Sequence, residues 1–169
     1  MNEVFYREVQ HFRQVWVWAI LLVITAISWW MAVQQLILGR AFGPNPAPDW
    51  AATLIFIVFG ILFPLFFIVL TLTLEVRTDG LYYRFFPLHL SFRRIGWEET
   101  EEYRPITYSP LREYGGWGIR RGRHGWAYTT GGNRGVLFRL SDGRCLLFGS
   151  DDADALAAAV RSASGKRRG

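Results

Sequence analysis

Residues 50–86, WAATLIFIVFGILFPLFFIVLTLTLEVRTDGLYYRFF, contain the change of pattern that decides the fold. From Trp50 to Leu74 none of 25 residues is charged, and the segment is apolar on every helical face. Leu74, Val76 and Thr78 then alternate with Glu75, Arg77 and Asp79, and Asp79-Gly80 signals a hairpin turn into Leu81–Phe86. The first part reads as a membrane helix, since about 20 apolar residues at 1.5 Å each cross a hydrocarbon layer of ~30 Å. A buried helix of a soluble domain would keep a polar stripe. The second part reads as a β-hairpin.

Upstream, Val15–Leu38 is a second uncharged run, 24 residues long. It is about twice the length of a signal-peptide core and ends in Gln34-Gln35 with no small-residue cleavage site, so it is expected to be retained. Gly43-Pro44-Asn45-Pro46-Ala47-Pro48 cannot continue a helix, and Asp49 suits a helix start. The reading is a two-helix transmembrane hairpin over 15–74, with helices at about 15–38 and 50–74, after a cytoplasmic N-terminal segment, 1–14. Pro64 removes a hydrogen bond to the carbonyl of Gly60 and is read as a packing accommodation. Neither span holds an ionisable side chain, which argues against transport.

Basic residues set the orientation. Arg7, Arg13, Arg77, Arg84, Arg93 and Arg94 flank the helices on their outer ends, against Arg40 alone in the connecting loop. Both termini are therefore expected in the cytoplasm, in a multi-pass cell-membrane protein. Residues 1–75 carry three Arg and four acids, whereas 76–169 carry 16 basic and 10 acidic residues.

Residues 75–162 read as seven or eight strands closed by a C-terminal helix, in a meander curled into a partly closed barrel. The expected strands include His89–Ile95, Tyr114–Arg121, Trp126–Thr129, Val136–Leu140 and Cys145–Phe148. Ser150 is expected to cap an Ala-rich helix at Ala153–Val160. Trp97 and Trp117 are the expected buried aromatics, residues 76–169 are expected to fold alone, and 163–169 reads as a basic disordered tail.

The strand plan resembles the pleckstrin-homology fold, and the chain resembles small bacterial membrane proteins of unknown function that carry a PH-like domain behind a two-helix anchor. The likeness rests on Thr78-Asp79-Gly80-Leu81, Ile95-Gly96-Trp97, and Glu113-Tyr114-Gly115-Gly116-Trp117-Gly118-Ile119-Arg120. Gly132-Asn133-Arg134-Gly135-Val136 and Asp142-Gly143-Arg144 with Phe148-Gly149-Ser150 add to it. The resemblance implies a fold and an anchoring mode; it carries no catalytic residue.

Chemistry is sparse. His11, His89 and His124 fall in no metal-ligand spacing, so no metal site is expected, and no cofactor motif is present. Cys145, the one cysteine, reads as a small hydrophobe. Glu98, Glu99, Glu101 and Glu102 read as a solvated face. Gly115-Gly116-Trp117-Gly118 fails the dinucleotide pattern because Arg121 stands at the third glycine. These features point to a non-enzymatic role.

One constellation stands out. Arg120, Arg121, Arg123 and His124 crowd a glycine-rich turn beside Trp117, and residues 112–144 hold seven Arg against two acids. Guanidinium groups grip carboxylates and phosphates in bidentate fashion. The expected role is a membrane-tethered protein-interaction or scaffolding module, with a cytoplasmic or membrane protein as partner besides the lipid bilayer. The alternative is an anionic-lipid head-group sensor; tethering disfavours nucleic acid. In a meander the turn would follow the fifth strand, away from the bilayer, which favours an acidic protein.

Overall fold

A computed structural model describes residues 3–165 of the chain, in two compact units. One joins the N-terminal segment through Phe12 to everything from Leu70 onward; the other is Arg13–Val69.

The helical unit contains α1 (Val15–Ile37) and α2 (Asp49–Val69), both long and apolar enough to cross a membrane. Their connection is stapled by Gln35, whose side-chain amide donates to the carbonyl of Ala47 and, at 2.9 Å, to the Asp49 carboxylate. Both helices contain π-helical stretches, Val33–Ile37 and Phe56–Leu62, the second just ahead of Pro64. Pro64 has no N–H to offer Gly60, and the indole N–H of Trp29 on α1 donates to the Gly60 carbonyl instead, at 3.1 Å. The Trp29 ring also meets Phe56 edge-on at 4.9 Å. The proline is thus matched by a donor from the neighbouring helix.

The β unit contains nine strands among the described residues, in two sheets and not in a closed barrel. Sheet A has the order β1-β2-β3-β4: Val4–His11, Thr71–Arg77, Gly80–Phe86 and Arg93–Gly96. Sheet B has the order β5-β8-β9-β7-β6, built from Thr100–Thr107, Arg134–Leu140, Cys145–Gly149, Gly125–Thr129 and Gly118–Gly122. Short helix α3 (Pro110–Tyr114) precedes β6, and α4 (Ala153–Gly165) closes the described chain. β7 and β9 run parallel and β5 pairs with β8, so the meander is replaced by crossover connections.

Several boundaries move. The segment 1–14 is not a mere flank, because β1 pairs with β2 from Val4↔Arg77 to His11↔Thr71. The second helix stops at Val69, five residues short of Leu74, because Thr71-Leu72-Thr73-Leu74 enters β2 with its leucines on one face. The strand foreseen at His89–Ile95 shrinks to Arg93–Gly96, with His89 in the preceding turn. Tyr114–Arg121 divides into the end of α3 and β6, broken by positive-φ glycines at 115, 116 and 118. Ala163–Gly165 of the expected tail belongs to α4, with Ala163 buried; residues 166–169 lie outside the described residues.

The core follows from strand alternation. Leu72, Leu74, Val76, Leu81, Tyr83, Phe85 and Ile95 share the inner face of sheet A. Val136, Phe138 and Phe148 are buried on sheet B, while Leu156, Ala157 and Val160 are buried along α4. Trp97 is buried and its indole N–H donates to the Arg77 carbonyl at 3.2 Å. Trp117 is only half-buried, because it ends a glycine-rich loop and donates to the Gly132 carbonyl at 2.8 Å. Ser150 takes part in starting α4, accepting from the Asp152 N–H, while the Asp152 carboxylate accepts from the Ala155 N–H.

The inner face of β1 is polar yet fully engaged. The Gln10 amide donates to the Gly149 carbonyl at 2.8 Å, and its carbonyl accepts from the Thr130 hydroxyl at 2.9 Å. Glu8 accepts from the Ser150 hydroxyl and the Asp151 N–H, each at 2.7 Å, at the start of α4. β1 therefore ties sheet A to the end of sheet B and to the terminal helix.

Two predictions follow from these contacts. A fragment of residues 76–165 lacks β1 and most of β2, so it is expected to stay unfolded, contrary to the reading from sequence. Residues 3–12 linked to 70–165 should give a β-rich circular dichroism spectrum with a cooperative melt; a cooperative melt from 76–165 alone would refute the role of β1. In the helical unit, Trp29→Phe should destabilise the full chain in detergent by about 1 kcal/mol, and adding Pro64→Ala, which restores a backbone donor, should recover most of it.

Candidate functional site

The arginine turn is a tight hairpin. Gly122 pairs with Gly125, and Arg123 and His124 form the turn between them. Two backbones press on it. A Cβ at Gly122 would lie 2.2 Å from the Glu113 carbonyl oxygen, and one at Gly125, which has φ +96°, 2.2 Å from the Cys145 carbonyl oxygen. The glycines are required by close approach, not by phosphate cradling.

Pairing separates the arginines. Arg121 lies opposite Trp126, and Arg120 opposite Ala127, so neighbouring residues on β6 face opposite sides of the sheet. The Arg120 Nε–H donates to the Trp117 carbonyl at 3.2 Å. Arg121 shares its face with the exposed Trp126, and Arg123 and His124 project from the turn itself, exposed. The four basic residues therefore form an edge around the hairpin end rather than one cup. Among the described residues, Arg121 and Arg123 have no ion-pair partner.

Glu113 organises this edge, a role the sequence motif did not single out. One carboxylate oxygen accepts from the Ser109 N–H at 2.8 Å, the other lies 3.7 Å from His124 Nε2, and its carbonyl accepts from the Arg123 N–H at 3.4 Å. The Ser-Pro start of α3 was its visible signal. Beneath the turn, Tyr108, Tyr114, Ala127, Leu137 and Leu147 form a cluster with Cys145 packed against it, the setting expected for a small hydrophobe. Burial pushes both tyrosines up to about 12.

The hairpin end lies at a defined place in sheet B. Gln10 holds Gly149, the last residue of β9, and Thr130, which follows the last residue of β7, whereas Cys145 and Gly125 begin those strands. The arginine turn is thus at the opposite end of sheet B from the residues that β1 grips, about 13 Å along a five-residue strand.

The other sequence candidates are dispersed. Glu98, Glu99, Glu101 and Glu102 are exposed, with Glu98 paired to Arg94 at 2.6 Å and Glu102 3.6 Å from Arg139. Glu98, Glu101 and Glu102 border an open groove of about 890 Å³ beside the end of α4. No group of three His, Cys, Asp or Glu able to hold a metal occurs among the described residues. His89 is buried, its ring 6.1 Å from Tyr83 and 6.0 Å from Tyr128.

The chain belongs to DUF6141, a family of unknown function. The DUF6141 match covers residues 2–165, so it includes β1, both apolar helices, both sheets and α4. No curated protein and no solved structure matches the chain.

Burial, followed by the nearby Arg93 charge, lowers His89 below its ordinary 6.5, so it is neutral in the fold. Unfolding exposes an imidazole that binds a proton below 6.5; the contribution is whole above that pH and is lost as pH falls toward the depressed folded value. The melting temperature of the β unit, read by near-ultraviolet circular dichroism on the full chain, should drop between about pH 7.5 and pH 5.5. His89→Gln should shrink that drop; an unchanged drop would mean that other groups control it.

Proposed function

We propose that this chain is an integral membrane protein whose two helices anchor a cytoplasmic, pleckstrin-homology-like β domain, and that the domain is a non-enzymatic protein-interaction or scaffolding module. The observation that carries the anchoring is the β1–β2 ladder. Strands from before α1 and after α2 build one sheet, which supports two crossings with both flanks on one side. The six basic flanking residues against Arg40 favour the cytoplasmic side. A four-stranded and a five-stranded sheet with a terminal helix support the pleckstrin-homology comparison in plan, with two more strands than its usual seven.

The arginine edge is the docking element. Among the described residues Arg121 and Arg123 have no ion-pair partner, and the turn lies at the end of sheet B opposite the strand ends held by β1. Exposed guanidinium groups without a counter-ion, one of them beside exposed Trp126, favour an acidic protein segment as partner. The seven-to-two arginine excess of 112–144 keeps the lipid head-group reading as the alternative.

Full-length protein in phosphatidylcholine nanodiscs is expected to bind a fluorescent Glu-rich peptide. Joint Arg121→Glu and Arg123→Glu substitution should weaken binding about tenfold or more, about 1.4 kcal/mol. Equal binding by the variant would sink the assignment. Quenching of a probe at residue 123 by lipid-borne nitroxide would move the site to the head-group reading.

A further inference from the structure

The turn between β3 and β4 exposes two leucines that the fold gives nothing to cover. Leu88 is 55% and Leu90 79% exposed, and Phe86 is 36% exposed just before them. The residue between the leucines explains the arrangement. The His89 side chain points inward between Tyr83 and Tyr128, and its backbone N–H donates to the Phe85 carbonyl at 2.7 Å. That bond closes a tight turn at Pro87-Leu88, with His89 buried and Leu88 and Leu90 left exposed on either side of it.

The position of this turn is fixed by register. Phe86 pairs with Thr71, and Thr71 with His11. These three residues form the end of sheet A at which the chain enters and leaves the apolar helices: α1 begins at Val15 and α2 ends at Val69. Pro87–Phe92 therefore projects from the sheet edge where the covalent chain itself passes to the helical pair. At the opposite end, by Arg77, Gly80 and Gly96, the exposed large apolar side chain among the described residues is Val4 of β1, at 47%, against two leucines and Phe86 here.

Charge agrees with that position. Arg84 and Arg93 flank the turn with no ion-pair partner among the described residues, whereas Arg94 is paired to Asp79 at 3.0 Å and to Glu98 at 2.6 Å. Arg84 lies 4.7 Å over the Phe92 ring, beside the turn. Basic residues flanking exposed leucines match an interface with anionic lipid, where apolar tips enter and guanidinium groups stay at head-group level.

We propose that Leu88 and Leu90 insert into the head-group region of the bilayer spanned by α1 and α2, giving the β domain a third, non-spanning membrane contact. This rests on the reading of α1 and α2 as spans. It is distinct from the arginine edge, and it would fix how the domain is held against the membrane rather than what it binds.

The test uses the full chain in a Cys145→Ala background, reconstituted in vesicles of phosphatidylcholine and phosphatidylglycerol. An environment-sensitive fluorophore is placed in turn at Leu88→Cys, Leu90→Cys, Ile57→Cys within α2, and Ser141→Cys in the exposed β8–β9 turn. The expected result is a blue shift and quenching by head-group nitroxide lipid at 88 and 90. Deep quenching by acyl-chain nitroxide is expected at 57, and neither at 141. Quenching at 57 with water-like emission at both 88 and 90 overturns the insertion while leaving the anchor intact. Absence of quenching at 57 removes the spans and the insertion together. Emission at 88 and 90 that is blue-shifted but indifferent to lipid nitroxide also overturns it, because another protein surface would then cover the leucines.

Discussion

The structure depends on one pairing, β1 with β2. Val4–His11 and Thr71–Arg77 lie on either side of the helical pair in sequence, yet they form adjacent antiparallel strands. Closing a flexible loop of about 60 residues would cost about 3.6 kcal/mol by chain entropy alone. The helical unit lowers that cost, because Trp29 and Phe56 pack across its two helices, which a short loop stapled by Gln35 makes antiparallel. A hairpin of this kind delivers its two ends as neighbours. With those ends held together, the loop that β1 and β2 must close is short in effect, and β3 and β4 follow β2 in both chain and sheet order.

The same strand supplies the contacts that unite the β unit. Leu72, Leu74 and Val76 provide apolar burial, but the facing positions on β1 are Gln10, Glu8 and Tyr6. These polar groups are matched atom by atom: Gln10 to Gly149 and Thr130, Glu8 to Ser150 and Asp151. A buried amide or carboxylate left without partners costs more than its bonds contribute. β1 therefore fits this sheet in this register only, which makes it a specificity element as much as a stabilising one. Burial of Tyr6, with Glu8 beside it, pushes its hydroxyl up to about 12, in keeping with its place in this network.

What the sequence made legible were elements with a strong local signature. Both apolar helices followed from the absence of charge, the first hairpin from Asp79-Gly80, and β8–β9 from alternation around Ser141–Arg144. β1 was invisible because its inward positions are polar and bonded to residues some 140 positions away. The parallel pairing of β7 with β9 was equally hidden, since no local pattern distinguishes it from a meander. Arg120 and Arg121 looked like one cluster in sequence; strand alternation places them on opposite faces, and only Arg121 joins Trp126. Glu113 was legible as an acid in a motif, but its place under the turn depends on α3, a five-residue helix too short to show a period.

The rigidity of the arginine edge has a physical origin that bears on what it can do. Gly122 and Gly125 bring the hairpin backbone against the carbonyls of Glu113 and Cys145, closer than any side chain would permit. The Arg123 N–H and the Glu113 carbonyl bridge the same gap. The turn is held from one side by α3 and from the other by β9, above a packed cluster of Tyr108, Tyr114 and Leu147. A charged loop free to move loses conformational entropy when it binds; one braced on both sides has already lost it during folding. In the proposed docking role, such an edge would select partners by the spacing of their acidic groups more than by total charge. A diffuse basic surface needs no glycines of this kind to hold it in place.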